Sequence, residues 1–153
     1  MGAAMFRWLL TVALILGVGS AFSADNVKRV ATNDLGLAIE GYDTVAYFTM
    51  NKPVKGEAQF TATWQGARWH FVSADNRDKF ESDPDRYAPQ FGAYCTMAMT
   101  KGIAVTADPL AWKIVEGRLY LKAVPGPWTD FDKARPRLLT EAQRHWQKIG
   151  PGN

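Results

Sequence analysis

The sequence predicts an α+β fold: a small, mostly antiparallel sheet of β-hairpins, a short helix after the first hairpin, and a C-terminal helix. Three observations predict it. Gly and Pro punctuate short segments throughout, two alternating apolar runs fold back on X-Gly turns, and the last stretch repeats apolar residues at helical spacing. No internal repeat or low-complexity tract stands out.

The first segment, 1–23, reads as an address. Arg7 precedes an apolar run from Trp8 to Gly19, the length of a signal h-region and short of the roughly 20 residues of a membrane span. Ala21-Phe22-Ser23 fits a small-x-small cleavage rule, so cleavage is expected after Ser23, leaving one domain over 24–153. An uncleaved anchor would have to recruit Phe6 and Phe22. The expected destination is the periplasm or the medium, with no stable membrane insertion after cleavage.

Beyond the leader, Leu37–Ile39 and Thr44–Phe48 read as short β-rich pieces either side of Gly41. Gln59–Trp64, the turn Gln65-Gly66 and Ala67–Val72 form the clearest hairpin, with Phe60, Ala62 and Trp64 on one face and Trp69 and Phe71 facing alike. Ser73 is a fitting N-cap for a helix whose inward residue is Phe80, and Asp83-Pro84 stops it and opens another turn closed by Tyr87. Trp112–Val115, Glu116-Gly117 and Arg118–Lys122 make a second hairpin. A terminal helix is expected from about Pro136, after an earlier turn at Thr129–Asp132. Its apolar face holds Leu138, Leu139, Ala142, Trp146 and Ile149, opposite Arg137, Arg144 and Lys148.

Charge narrows the partners. With Arg7 set aside, 17 Lys and Arg face 15 Asp and Glu, scattered rather than striped. A nucleic-acid surface concentrates its basic residues, so these charges read as a solvated surface and no nucleic-acid partner is expected. A protein partner is not specified.

The chain has one cysteine, Cys95, which excludes an intramolecular disulfide in an exported protein. Three readings stay open: a buried structural residue, a metal ligand or reactive thiol, or half of an intermolecular bridge. If Tyr94–Met99 is extended, Cys95, Met97 and Met99 point the same way, a soft donor set suited to copper(I). Cys and Met are equally ordinary core fillers. His70 should face away from Trp69 and Phe71 onto the wetter side of its strand, as a metal ligand or a plain surface histidine. His145, on the basic flank of the last helix, is assigned nothing. Asp43 reads either as an acid/base group or as a turn residue bonding backbone N–H groups two positions on. No His-x-x-x-His or Cys-x-x-Cys spacing occurs, and no residue is assigned a catalytic role.

Together Gly41–Phe48, Gly66–Ser73, Phe80, Asp83–Gln90, Gly92-Ala93-Tyr94-Cys95 and Gly117–Leu121 resemble the exported bacterial YHS-domain proteins, from about Leu35 to Trp146. The resemblance implies metal binding, with copper as the metal, since related modules accompany copper-transporting ATPases. The pattern of those modules, Phe-Cys-Ser-x-x-Cys-x-x-x-Phe with an earlier Asp-Pro-Val-Cys, has Val72, Asn76 and Ala46 here in place of its cysteines. The Gly-Ala-Tyr-Cys segment matches the exported subfamily. It implies that Tyr42, Asp43, Tyr47, Tyr94 and Cys95 line one pocket, with Met97, Met99 and His70 as outer candidates for a soft metal. The expected function is a periplasmic binding module for copper or another soft metal, without turnover. The alternatives are a thiol-based redox or small-molecule enzyme using Cys95, and a structural or interaction domain with Cys95 buried.

Overall fold

The computed structural model describes residues 27–150, and the expected leader with its cleavage site lies outside them. The fold is α+β, as expected, but its four strands form two separate two-stranded antiparallel sheets rather than one.

Local chemistry shapes the first stretch differently from its apolar pattern. Ile39, Glu40 and Gly41 are all left-handed (φ 41°, 52° and 79°), and a strand cannot run through three such residues. The β piece expected at Leu37–Ile39 is therefore reduced to isolated bridges, Leu37 with Arg68 and Ala38 with Thr32. The one expected at Thr44–Phe48 becomes helix α1 (Ala46–Thr49). Asp43 Oδ1 accepts the backbone N–H of Val45 (2.8 Å) and Ala46 (3.2 Å), an Asx turn that starts a helix where β-branched and aromatic residues favour a strand.

The hairpins hold. β1 (Glu57–Trp64) pairs with β2 (Ala67–Phe71), and β3 (Asp108–Val115) with β4 (Arg118–Lys122). Helix α2 (Ala74–Ser82) starts on Ser73, whose Oγ accepts the Asn76 N–H at 3.2 Å. Helix α3 (Pro84–Tyr87) has Asp83 as its cap and proline in its first turn. Between hairpins, the stretch Tyr94–Met99, whose three sulfurs would align if it were extended, instead carries helix α4 (Thr96–Met99). Helix α5 runs Thr129–Ile149 and merges the expected terminal helix with the turn before it. Its non-helical residue is Ala134 (φ −125°, ψ 20°), two positions before Pro136, whose ring bars regular helix upstream. Among the described residues, no helix is long and apolar enough to cross a membrane.

The chain also repeats itself, contrary to the sequence reading. Three left-handed residues precede Tyr42, and three more, Phe91, Gly92 and Ala93 (φ 56°, 61° and 63°), precede Tyr94. Asp43 N–H then donates to Val54 O and Cys95 N–H to Val105 O, both at 2.8 Å. A short helix follows in each case, then a hairpin with strands of eight and five residues. Even the bulges correspond, lying between Glu57 and Thr61 and between Asp108 and Trp112. Gln65-Gly66 and Glu116-Gly117 turn the two hairpins with positive φ throughout, as a type I′ turn requires. Few identities connect the halves, with Tyr42/Tyr94, Thr44/Thr96 and Gly66/Gly117 the clearest. Backbone conformation is repeated where side chains are not.

Two apolar clusters fill the molecule. The first joins Trp69, Phe71, Phe80 and Tyr47 with Leu119 and Leu121. The second joins Tyr120, Met99, Phe131 and Ala142. β4 alternates between them, Leu119 and Leu121 to one side and Tyr120 to the other, so it is buried on both faces. Helix α5 closes the second cluster, its Trp146 ring 6.0 Å from that of Tyr94.

Candidate functional site

Asp43 is fully buried, and its carboxylate is the best-connected polar group in the first half. Oδ1 accepts from Val45 and Ala46 N–H. Oδ2 accepts from Val72 N–H (2.9 Å) and from the side-chain Nδ2 of Asn76 (2.7 Å). A carboxylate is tolerated in the interior when hydrogen-bond donors replace its water, and four do so here. The turn reading of Asp43 is borne out. Three of the donors, Ala46, Val72 and Asn76, are the positions that stand in place of cysteines in the pattern the sequence resembles. The fold brings all three to one point, and Asp43 occupies it. With N–H groups aimed inward and no sulfur, that point does not fit a metal cation.

Tyr42 and Tyr47 belong to the same neighbourhood. Tyr47 is fully buried, its hydroxyl donating to Pro109 O at 2.8 Å and its ring edge-on to Trp112 at 5.3 Å. Burial, followed by Tyr42, Asp108 and Asp43, pushes its hydroxyl far above the ordinary phenol range. It is a hydrogen-bond donor and not a proton-transfer group near neutral pH. Tyr42 is half-buried, with Lys55 Nζ 4.4 Å from its ring centre.

His70 faces away from the buried Trp69 and Phe71, as expected from strand alternation, and sits half-buried on β2. A Cβ on Gly41 would lie 3.5 Å from its Nδ1. Burial lowers its pKa, and Arg68 and Lys55 lower it further. Two cations beside a neutral imidazole make this a poor place for a metal ion.

Tyr94 and Cys95 belong to the second half. Tyr94 packs in the second cluster, and burial raises its hydroxyl pKa, offset in part by a hydrogen bond from the Lys28 backbone. The five residues expected in one pocket are thus divided, with Tyr42, Asp43 and Tyr47 in one half and Tyr94 and Cys95 at the matching place in the other. Cys95 is a free thiol, 5% exposed. Met99 N–H donates to Cys95 O at 3.0 Å, closing a helical turn. Cys95 is the extended cap of that turn (φ −61°, ψ 116°), with fully buried Met99 closing it and half-buried Met97 inside it. Thr96, between them, is fully buried, and its Oγ1 has no hydrogen-bond partner among the described residues. Sequence reasoning missed Asn76 as a partner of Asp43 and Thr96 as an unsatisfied hydroxyl. Only the Asn in a cysteine position hinted at the first.

Among the described residues, no cluster of three or more His, Cys, Asp and Glu is placed to hold a metal. Several surface clefts are lined by other residues. One of about 460 Å³ lies between α5, β4 and the turn at Gln90-Phe91. Two more flank Glu40, sharing Thr106 and Ala107.

No curated protein and no solved structure matches the chain. The family model of the YHS domain matches residues 45–91. That span covers the first hairpin, α2 and α3, and includes Ala46, Val72 and Asn76 but neither Asp43 nor Cys95. Residues 45–91 are therefore similar to the YHS domain, and the similar segment begins in the first of two like halves.

Proposed function

We propose that the chain is an exported, periplasmic binding module that takes up a soft metal ion without turnover. The ion is held at Cys95 and Met99, not at the point where the relatives' pattern has its cysteines. One observation carries this reading: the only thiol and a buried thioether share one helical turn. A thiolate and a thioether are soft donors that favour copper(I) over harder cations. The hydroxyl of buried Thr96, next in sequence to Cys95, has no hydrogen-bond partner among the described residues. Met97 and His70, the other candidates, are less suited: Met97 is only half-buried, and His70 has the cations Arg68 and Lys55 nearby in the other half. Because Cys95 and Met99 are buried, uptake requires the α4 turn to open.

The absence of turnover is supported by what the reactive groups already do. Asp43 is consumed by four donors and Tyr47 by Pro109, which leaves neither placed as a base for Cys95.

A second reading, a structural or interaction domain with Cys95 as a core residue, is favoured by its burial. One experiment separates the two. The native protein is titrated with copper(I) under reducing conditions while the thiol is followed with a bulky disulfide reagent. One equivalent of copper that protects the thiol, lost in Cys95→Ser with folding retained, supports the metal reading. A thiol silent until denaturation, with no copper uptake, establishes the structural one. A native thiol that reacts readily regardless of copper overturns both in favour of thiol chemistry.

A further inference from the structure

The cleft between α5 and β4 has a composition that nothing said so far explains. Its floor is apolar, made by Phe91, Tyr120 and Leu139. Arg118 and Arg144 stand among its lining residues, and the lining contains no carboxylate. Periodicity places them there. Arg118 and Tyr120 are two apart on β4 and so share a face, while Leu139, Gln143 and Gln147 recur at four-residue steps along α5.

Other basic residues nearby are neutralised. Arg135 pairs with Glu116 at 3.7 Å and Arg137 with Glu141 at 2.9 Å. Arg118 and Arg144 are treated differently. Arg118 donates to the Gln90 side-chain oxygen at 3.2 Å, and Arg144 contacts the neighbouring His145 Nε2 at 3.1 Å. Neither forms an ion pair among the described residues. Both guanidinium groups therefore keep their charge uncompensated beside an apolar floor.

From this arrangement we propose that the cleft binds a small organic anion, a carboxylate joined to a flat apolar body. The guanidinium fork matches a carboxylate in two parallel hydrogen bonds, and the apolar body covers Phe91, Tyr120 and Leu139. The volume falls within the range of small-molecule sites. An inorganic anion would leave the floor uncovered, and a neutral aromatic would leave both arginines without a partner. The site shares no residue with the Cys95 turn, so it does not depend on the metal reading.

The test uses three probes on the chain, followed by amide chemical shifts: 2-naphthoate, its neutral amide 2-naphthamide, and inorganic phosphate. The expected result is saturable naphthoate binding that shifts Phe91, Tyr120 and Leu139, at least tenfold tighter than naphthamide. Phosphate should compete only weakly. Arg118→Gln and Arg144→Gln should each weaken naphthoate about fivefold or more, with the thermal midpoint unchanged. Equal binding of acid and amide would overturn the proposal, as would binding indifferent to both arginines. Phosphate binding as tightly as naphthoate would overturn the role of the floor.

Discussion

Cys95 stands in the second half of the fold where Asp43 stands in the first. Each follows three left-handed residues and a tyrosine, each donates its N–H to a valine carbonyl at 2.8 Å, and each precedes a threonine and a short helix. The two side chains meet opposite surroundings. Asp43 is met by donors from Val72 and Asn76. The corresponding stretch after β4 continues as Ala123-Val124 without a helix of the α2 kind before α5. A carboxylate is satisfied in the first place, and a thiol tolerates the second because it demands little hydrogen bonding. The same backbone thus serves a polar node in one half and a buried thiol in the other.

Asp43 is accordingly the residue whose loss should cost most among the polar groups. Asp43→Ala strips the acceptor from Val45 N–H, Val72 N–H and the Asn76 amide at one interior point, while Ala46 N–H keeps the Asp43 carbonyl oxygen at 3.2 Å. Each buried orphan costs on the order of 1–3 kcal/mol, so the total should be about 3 kcal/mol or more. Urea unfolding measures it, and Asn76→Ala should cost less because a single donor is lost. A loss below about 1 kcal/mol for Asp43→Ala would refute the node.

Much of this was legible in the sequence, and the rest failed for identifiable reasons. The hairpins could be read because Gln65-Gly66 and Glu116-Gly117 are turn pairs that act through two adjacent residues. Ser73 and Asp83-Pro84 could be read because capping is equally local. The helical turns at Ala46–Thr49 and Thr96–Met99 could not, since residues such as Val45, Tyr47 and Phe48 favour strands. In the first, the Asp43 carboxylate overrides that preference. In both, non-glycine residues such as Ile39, Glu40, Phe91 and Ala93 adopt left-handed conformations that no residue type announces. The duplication escaped for the same reason, being written in backbone angles and hydrogen bonds. At the candidate site, the Asx turn of Asp43 was visible as one of two readings, while its burial was not. Its contact with Asn76 joins distant parts of the chain and needed the fold.

His70 gives the fold a pH dependence with a definite sign. Its pKa is lower in the folded chain than the roughly 6.5 of an unfolded histidine. The unfolded chain therefore binds the proton more readily. The contribution to stability is complete above about pH 6.5 and is lost as the pH falls toward the folded value. Wild type should lose more stability between pH 7 and pH 5 than His70→Gln, by chemical denaturation at each pH. Parallel losses in the two proteins would contradict the assignment.

Gly92 should not accept a side chain. Its φ is +61°, and a Cβ there would lie 2.3 Å from the Arg29 carbonyl oxygen and 2.8 Å from the Trp146 ring. The backbone contact is the harder to relieve, because Ala31 N–H donates to Gly92 O at 2.8 Å and holds the two segments together. Gly92→Ala should therefore destabilise by about 2 kcal/mol or more, combining left-handed strain with the clash. The signature would be a changed environment for Trp146, visible in its fluorescence. A variant as stable as wild type would mean that the turn carries no such constraint.

Thr44 and Thr96 occupy matching positions in the two halves and should respond oppositely to the same substitution. Both are fully buried. Thr44 Oγ1 donates to the Tyr87 carbonyl and ties the first half to α3, whereas Thr96 Oγ1 has no partner among the described residues. Thr→Val keeps the shape and removes the hydroxyl. At Thr44 it breaks a made bond and leaves the Tyr87 carbonyl without that donor, a loss of about 1–2 kcal/mol. At Thr96 it removes an unsatisfied polar atom, so stability should be unchanged or higher. Thermal and urea unfolding of the two variants give the comparison directly. The metal reading adds a second readout at Thr96: a hydroxyl used by the bound ion would make Thr96→Val weaken copper(I) uptake while leaving the apo fold intact. A marked loss of apo stability in Thr96→Val would show instead that its hydroxyl is bonded inside the fold and is not available to any ligand.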